Sequence, residues 1–174
     1  INYMAHSDEA EKYSAAAFAT KHEDAIYFSK RVTRAVPDGG PIEAHTDLVK
    51  KLDYECELAV VLGRDVRDVP AGQTRDYIFG YTILNDVSAR DVQTAHKQWY
   101  FGKSLDGFTP IGPCIVTADA FADYPPRLGI RSFVNGEKRQ DSNTALQIFD
   151  IDHVIAELSQ GMTLKAGTII ATGT

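Results

Sequence analysis

One stretch of nine residues, Tyr54–Leu62, constrains the fold more than any other part of the chain. Successive side chains of a β-strand point to opposite faces, and the alternation in this stretch predicts a strand. Its first face is apolar and consists of Tyr54, Cys56, Leu58, Val60 and Leu62. Its second face begins with two acidic residues and continues with two apolar ones, in the order Glu55, Glu57, Ala59 and Val61. A face of this composition is not plainly solvated, so we expect a strand that holds two neighbouring carboxylates in partly dry surroundings.

Other parts of the chain also have the pattern of strands. Apolar or alternating stretches that predict four further strands lie at residues 77–86, 114–116, 130–134 and 168–171. The dipeptide Asn135-Gly136 follows the third of these stretches. Both of its residues tolerate a left-handed backbone, which two-residue hairpin turns require. We therefore expect a hairpin at this point.

Two stretches predict helices. Asp8–Ala17 is rich in helix formers and opens with a capping pair, Asp8 and Glu11. Residues 152–160 follow a helical apolar pattern that stops at Gly161. Many strands with few helices predict a β-rich α+β fold with peripheral helices. A length of 174 residues favours a single domain over the whole chain, residues 1–174.

Charge and composition exclude several classes of partner. The net charge of −6 repels phosphate backbones, and the short basic stretch Lys30–Arg34 is interpreted as a solvated face, so no nucleic-acid partner is expected. The chain has no run of 18 apolar residues, so no membrane span is expected. Only two cysteines occur, Cys56 is interpreted as a small buried apolar residue, and no disulfide framework is predicted. This favours a reducing compartment, the cytoplasm or, in a eukaryote, the mitochondrial matrix.

Three carboxylates suggest a cation site. Glu55 and Glu57 share one strand face, and two like charges about 4 Å apart repel by about 4 kcal/mol at an effective dielectric of 20. Asp86 ends the next apolar strand. Oxygen ligands favour Mg²⁺, with Mn²⁺ or Ca²⁺ as substitutes, and no His or Cys spacing favours zinc. The alternatives are an exposed strand face for the glutamates and a helix cap or turn for Asp86.

These residues lie in segments that resemble the fumarylacetoacetate hydrolase family. The matching segments follow the order of the family and cover most of the chain. They are Asp53–Arg64, Gly80–Gln93, Gly102–Pro113, Gly136–Thr144 and Ile169–Thr174. The resemblance implies the C-terminal catalytic domain of that family, a mixed β-sandwich-like roll that forms a homodimer. It also implies that Glu55, Glu57 and Asp86 are the Mg²⁺ ligands.

A further match lies at the start of the chain, where His6 and Glu9 form a His-x-x-Glu pair. The resemblance implies that this pair lies on a mobile lid, residues 6–25, which folds over the bound substrate. Glu9, one helical turn after His6, can hold the imidazole in one tautomer and raise its basicity. The alternative is that Glu9 complements a helix dipole and that His6 is an ordinary surface residue.

An acidic metal site that binds an anionic substrate needs fixed positive charges. Lys103 and Arg90 meet this need, and the resemblance places both at the pocket, where Lys103 would approach a developing oxyanion. The alternatives are an exposed lysine and a structural salt bridge, for example between Arg90 and Asp91. The candidates for substrate binding are Lys30, Arg90, Gln93 and Thr172.

The chain departs from the family pattern in three ways. It lacks the segments that are expected at both ends. Arg31 follows Lys30 where relatives often have proline, and Leu146-Gln147 replaces a pair that is commonly Asp-Met. The second and third departures fall in regions expected near the substrate, so the exact substrate stays open.

Three functions follow from these observations. The first is a Mg²⁺-dependent enzyme that acts on small 2-oxo acids through a metal-bound enolate, by C–C hydrolysis of acylpyruvate-like substrates or decarboxylation of oxaloacetate. The second is a keto–enol or double-bond isomerase of aromatic catabolism, which needs no water-activating pair such as His6 and Glu9. The third is a non-catalytic module that binds a divalent cation. Lys103 argues against the third, because a bare cation site gains nothing from an added positive charge.

Overall fold

The computed structural model describes residues 2–3 and 24–174. Eight strands lie in this part of the chain: β1 (Leu52–Asp53), β2 (Cys56–Leu62), β3 (Ile78–Asn85), β4 (Ser88–Ala89), β5 (Ile111–Thr117), β6 (Gly129–Val134), β7 (Glu137–Asn143) and β8 (Ile169–Ala171). Its α-helices are α1 (Arg90–Ala95), α2 (Tyr100–Lys103) and α3 (Ile151–Leu158), and its 3₁₀ helices are Thr74–Tyr77, Ala118–Ala120 and Thr144–Leu146. The predicted helix Asp8–Ala17 lies outside the described residues. Among the helices described, none is long and apolar enough to cross a bilayer.

A four-stranded antiparallel sheet in the order β5-β3-β2-β8 forms the centre of the fold. β2 is buried over all of its length except its first residue. Its second face is as dry as the sequence predicted, since Ala59 is 0 % and Val61 8 % exposed. Its first face contributes Leu58, Val60 and Leu62 to the main hydrophobic core. The central strand is therefore enclosed on both sides, and the prediction of a β-rich fold is confirmed.

Helix α3 packs on this core. The side chain of Asp150 accepts a hydrogen bond from the N–H of His153 at 2.8 Å and so caps the first turn. The helix ends at Leu158, two residues earlier than predicted, and Gly161 follows with a left-handed backbone at φ 69°. The residues that α3 buries in the main core are Ile151, Val154 and Ile155. Their spacing is that of one apolar stripe on a helix.

The boundaries of the predicted strands need small corrections. The stretch Tyr54–Leu62 becomes a strand only at Cys56, because the N–H of Glu55 donates to the side chain of Asn85 at 3.0 Å instead of joining the ladder. The other four predicted strands correspond to β3, β5, β6 and β8. The strands β1, β4 and β7 are not predicted, because two are only two residues long and the third is polar throughout.

The hairpin of β6 and β7 has the turn that the sequence predicted. Asn135 and Gly136 have φ angles of 52° and 80°, so both adopt the left-handed backbone of a primed turn. Cys56 packs near this hairpin, where its thiol donates to the carbonyl of Arg131 at 3.5 Å. Cys56 is only half-buried, which corrects the prediction of a small buried apolar residue. Both cysteines are free, as predicted.

A second hydrophobic cluster lies beside β4, α1 and α2, and its buried members are Val49, Val87, Ala89, Val92 and Phe108. The two helices approach closely at Gly102, where an added Cβ would lie 2.6 Å from the backbone nitrogen of Gln93. Neither helix is predicted, because runs of six and four residues are too short to show a helical period. This packing nevertheless matters for the site, since Arg90 begins α1 and Lys103 ends α2.

Candidate metal centre

Three carboxylates lie together at one end of β2 and β3. Glu57 belongs to β2, Glu55 precedes that strand, and Asp86 follows β3. The antiparallel pairing brings these ends together, and the N–H of Asp86 donates to the carbonyl of Glu55 at 2.8 Å. One oxygen of each carboxylate lies within 4.8 Å of the other two. The structure thus brings together the three acidic residues that the sequence singled out.

All three carboxylates are buried. Glu55 is 7 %, Glu57 3 % and Asp86 2 % exposed, so the alternative of an exposed acidic strand face is wrong. Removing a carboxylate from water costs several kcal/mol unless opposite charges and hydrogen bonds compensate it. Neighbouring groups therefore have to supply positive charge.

Lys103 lies between two of these carboxylates. Its Nζ donates to Glu55 Oε2 at 2.5 Å and to Asp86 Oδ2 at 2.6 Å. The side chain is 2 % exposed, so the alternative of an ordinary exposed lysine is wrong. The same ammonium lies 5.4 Å from the centre of the Phe28 ring. Lys103 is thus a buried cation fixed within the acidic cluster.

Two further cations surround the cluster. Lys30 Nζ lies 2.7 Å from Asp86 Oδ1 and also donates to the carbonyl of Lys103. Its side chain is 12 % exposed, so the solvated face predicted for Lys30–Arg34 is wrong at Lys30. Arg90 Nη2 lies 2.6 Å from Glu55 Oε1 and 2.8 Å from Asp53 Oδ2. Arg90 thus forms salt bridges with Asp53 and Glu55 and not with Asp91, the partner suggested from the sequence.

The two glutamates differ in pKa. Burial acts to raise the pKa of Glu55, but the ion pairs with Lys103 and Arg90 outweigh it and lower the pKa to about 2. Burial also raises the pKa of Glu57, the negative charges of Asp86 and Glu55 raise it further, and it reaches about 8. The charge of Glu57 is therefore the one that the surrounding groups compensate least.

The Glu57 carboxylate accepts a hydrogen bond from a backbone N–H and forms no ion pair with a cation among the described residues. The N–H of Gly173 donates to Glu57 Oε2 at 2.7 Å, and the ion pairs among the described residues do not include Glu57. Gly173 has φ 85°, a left-handed conformation that side chains rarely adopt. The turn after β8 thus reaches the acidic cluster through its backbone.

Thr172 and Gln93, two weaker candidates for substrate binding, form hydrogen bonds with other residues of the protein. The hydroxyl of Thr172 donates to the carbonyl of Leu58 at 2.8 Å and accepts from Gln147 Nε2 at 2.9 Å. Gln93 is 6 % exposed, and its Oε1 accepts from Arg90 Nη1 at 3.2 Å. Thr172 adjoins the turn that binds Glu57, and Gln93 adjoins Arg90. Their predicted contacts with substrate stay predictions.

The predicted pair of His6 and Glu9 lies outside the described residues, as does nearly all of the predicted lid, residues 6–25. Other residues at the site were not singled out from the sequence. Asp53 shares Arg90 with Glu55, and the alternation of a strand could have suggested it, since Asp53 stands two positions before Glu55. Asn2 is 7 % exposed and binds the turn around Gly173. No sequence pattern indicates that contact, because it joins opposite ends of the chain.

The donor set of the site suits a hard divalent cation. Carboxylate oxygens are the ligands that Mg²⁺, Mn²⁺ and Ca²⁺ prefer, and three of them converge here without histidine or thiol. A bound cation would also stabilise the charged form of Glu57, which lacks an ion-pair partner among the described residues. Glu55, Glu57 and Asp86 are therefore the residues that would hold a metal ion.

Comparison with known proteins supplies an independent line of evidence. A family model described as fumarylacetoacetate (FAA) hydrolase C-terminal matches residues 1–174. Oxaloacetate tautomerase YisK of Bacillus subtilis is 43 % identical over 152 residues, which are 87 % of this chain and 50 % of that protein. The structure of a fumarylacetoacetate hydrolase from psychrophilic Exiguobacterium antarcticum is 44 % identical, with a TM-score of 0.84 over 99 % of this chain and 59 % of that one.

A third similar protein has a ligand-bound structure. Fumarylpyruvate hydrolase from Pseudomonas aeruginosa, in complex with Mn²⁺ and pyruvate, has a TM-score of 0.85 and 29 % identity over 99 % of this chain and 74 % of that one. The chain spans about half the length of the curated relatives it matches. These similarities confirm the resemblance found in the sequence and the fold type that it implied.

Proposed function

The chain belongs to the fumarylacetoacetate hydrolase family, and on this premise we propose that it is a Mg²⁺-dependent enzyme that acts on small 2-oxo acids. One observation carries the proposal: three buried carboxylates converge, and a buried lysine is fixed among them. The relative from Pseudomonas aeruginosa, bound to Mn²⁺ and pyruvate, supports both a divalent cation and this substrate class. Mn²⁺ and Ca²⁺ are expected substitutes, since they prefer the same oxygen donors.

The chemistry follows from the charges of the site. A divalent cation held by Glu55, Glu57 and Asp86 would polarise a 2-oxo group and favour negative charge on its oxygen. Lys103 and Arg90 add fixed positive charge next to the carboxylates. Lys30 is positioned to bind a substrate carboxylate once it exchanges its contact with Asp86. Together these groups lower the cost of placing an anionic substrate in an acidic site. A non-catalytic cation-binding module would not need these cations.

The reaction we propose breaks a carbon–carbon bond beside the 2-oxo group. In an acylpyruvate-like substrate, His6, supported by Glu9, would accept a proton from water as the water attacks the C4 carbonyl. The C3–C4 bond would then break with its electron pair passing to C3, and C3 would take up a proton to give pyruvate beside the released carboxylic acid. In oxaloacetate, the bond to the departing carboxylate breaks and no water attacks. Residues 6–25 would close over the substrate and exclude bulk water during either reaction.

A second candidate is keto–enol tautomerisation, which the 43 % identity with an oxaloacetate tautomerase favours. This reaction moves one proton, breaks no carbon–carbon bond and needs no water-activating pair. The same arrangement of carboxylates and cations would stabilise the charge that develops on the 2-oxo oxygen. The metal centre therefore does not distinguish C–C bond cleavage from tautomerisation. Identification of the products does.

A product assay tests the proposal. Purified protein with Mg²⁺ is incubated with oxaloacetate, an acylpyruvate and an enol tautomer, and the products are identified by NMR. Two acids indicate hydrolysis, pyruvate with carbon dioxide indicates decarboxylation, and a change of tautomer without loss of carbon indicates isomerisation.

Glu57→Gln should abolish turnover and weaken Mg²⁺ binding at least a hundredfold, whereas the matched change Glu137→Gln on the exposed hairpin should do neither. Full turnover in excess chelator would contradict the proposal.

Substitution of His6 separates the two candidates. His6→Ala should lower hydrolysis of an acylpyruvate by about 10²–10⁴-fold and leave Mg²⁺ affinity unchanged, because general base catalysis contributes about that much. Tautomerisation should persist. If His6→Ala also lost its bound metal, the assignment of His6 to a lid would be refuted.

Oxalate, which presents two oxygens to a cation as a 2-oxo acid does, should slow hydrogen exchange in residues 6–25 if they form a lid.

We also propose a cytoplasmic homodimer. Apolar side chains on the neighbouring strands β3 and β5 are exposed, with Phe79 50 %, Ile83 52 % and Ile115 47 % exposed. Exposed apolar patches of this kind are typical of interfaces. Light scattering should give twice the chain mass, and Phe79→Glu should shift the protein toward the monomer. A wild-type monomer at micromolar concentration would contradict this assembly.

A further inference from the structure

Asn2 is a buried polar residue that the proposed reaction does not use, and it makes five hydrogen bonds. Its backbone N–H donates to the carbonyl of Thr174 at 2.7 Å, and its carbonyl accepts from the N–H of Ile148 at 2.8 Å. Its Nδ2 donates to the carbonyls of Phe149 at 2.8 Å and Thr172 at 2.7 Å. Its Oδ1 accepts from the N–H of Phe149 at 2.8 Å. Asn2 thus joins two distant parts of the chain, residues 148–149 and 172–174.

These bonds hold the turn Thr172–Thr174 from one side, and β2 holds it from the other. The N–H of Thr172 donates to the carbonyl of Leu58 at 3.0 Å, and the Thr172 hydroxyl donates to the same carbonyl. Gly173 lies between the two attachments, and an added Cβ there would lie 2.9 Å from the Cβ of Asn2. The backbone of Gly173 is therefore fixed by its contact with Asn2 as well as by β2.

The turn Thr172–Thr174 contacts Glu57, a proposed metal ligand. The N–H of Gly173 donates to Glu57 Oε2 at 2.7 Å, and among the described residues this is the hydrogen bond that orients the Glu57 carboxylate. Glu55 and Asp86, by contrast, are held by side-chain cations. A displacement of the turn would therefore leave Glu57 buried and free to rotate, while the other two carboxylates kept their partners.

We propose that Asn2 is a positioning residue for the metal centre: by fixing the turn around Gly173 it orients Glu57 toward a bound cation. The inference rests on the proposed function, because it assumes that Glu57 is a metal ligand. Groups that orient metal-binding carboxylates contribute about 10–100-fold to metal affinity.

Mn²⁺ affinity, measured by the electron paramagnetic resonance signal of free Mn²⁺, tests this role without recourse to turnover. Asn2→Ala should weaken Mn²⁺ binding by about 10–100-fold. Asn143→Ala is the matched control, because it also removes an asparagine side chain that binds a backbone N–H, that of Ala145 at 2.9 Å. It should leave Mn²⁺ affinity unchanged. Circular dichroism should show that each variant is folded at the assay temperature, and Asn2→Ser replaces Asn2→Ala if the latter is unfolded.

A double substitution separates positioning from a general loss of structure. If Asn2 acts through Glu57, then Asn2→Ala should cause no further loss of Mn²⁺ affinity in a Glu57→Gln background. Additive losses, or a folded Asn2 variant with wild-type affinity, would overturn the inference while leaving the proposed function intact. Failure of the wild-type protein to bind Mn²⁺ would instead refute the proposed function itself. The two failures are therefore distinguishable.

Discussion

The two ends of β2 are buried to nearly the same extent but consist of opposite kinds of residue. At the C-terminal end, Val60 is 0 % and Leu62 1 % exposed, and both lie in the aliphatic core that α3 completes. At the N-terminal end, Glu55 is 7 % and Glu57 3 % exposed, and their neighbours are charged. One strand thus carries two environments, here called the aliphatic end and the charged end.

The difference shows which end stabilises the fold. Each Å² of apolar surface buried at the aliphatic end contributes about 25 cal/mol. At the charged end, the cost of removing ions from water offsets most of their mutual attraction, and replacing such ion pairs by apolar side chains is often neutral or stabilising. Stability therefore explains the residues of the aliphatic end but not those of the charged end. The charged end is better explained by the reaction that we propose.

Removing a cation from the charged end should have the largest effect on stability. Lys103→Met keeps the length of the side chain but leaves Glu55 and Asp86 buried without their shared partner. We expect a loss of about 3–5 kcal/mol in the free energy of unfolding, measured by urea denaturation without divalent cations. Added Mg²⁺ should restore part of it, because the ion replaces the lost positive charge. A variant as stable as the wild type would show that the lysine does not compensate these carboxylates.

A cavity at the aliphatic end should lower the free energy of unfolding by a comparable or slightly smaller amount. Unlike the loss caused by Lys103→Met, this loss should not depend on the metal centre. Ile155 is 0 % exposed and lies in the main core, so Ile155→Ala should lower the free energy of unfolding by about 2–5 kcal/mol. Added Mg²⁺ should stabilise this variant by the same amount as the wild type, since the metal centre is intact. A selective loss of Mg²⁺ affinity would mean that the two ends are coupled more tightly than their separate contacts suggest.

Arg90 lies at the border of the charged end, and changing it should have an intermediate effect. Its guanidinium bridges Asp53 and Glu55, and its side chain is 28 % exposed. A lysine cannot reproduce the two-sided contact, so Arg90→Lys should cost about 1–2 kcal/mol in urea denaturation. It should also slow turnover more than it weakens Mg²⁺ binding, because the cation ligands are retained. An unchanged midpoint would indicate that lysine restores both contacts.

The aliphatic end was largely predictable from the sequence and the charged end only in part. Alternation in β2 and the apolar stripe of α3 identify core residues, because each pattern is local. Proximity of Glu55 and Glu57 follows from the same alternation, and their proximity to Asp86 follows from the pairing of neighbouring strands. These relations span short stretches of chain or adjacent elements.

The partners of the charged end could not be derived from local patterns. Lys30 and Lys103 reach Asp86 from segments without regular alternation, and α2, which carries Lys103, has only four residues. The contact of Asn2 with Thr172 joins residues 170 positions apart, so no periodicity reports it. Resemblance to a family suggested the lysines as site residues, but their burial and their contacts required the three-dimensional structure.

The smallest effect is expected for the same substitution at an exposed ion pair. Lys165 Nζ lies 2.5 Å from Asp65 Oδ2, the same distance that separates Lys103 from Glu55, but the two side chains are 73 % and 50 % exposed. The hydrogen bond from Lys165 lowers the pKa of Asp65, so any stability that the pair contributes is present at neutral pH and is lost as the pH falls through the lowered pKa. Water and salt screen such a pair, and exposed pairs contribute little. Lys165→Met should therefore leave the urea midpoint at neutral pH unchanged within error, both in low salt and in 0.5 M NaCl. A loss approaching that of Lys103→Met would show that contact distance, and not burial, decides the effect, and the contrast between the two ends of β2 would then need another explanation.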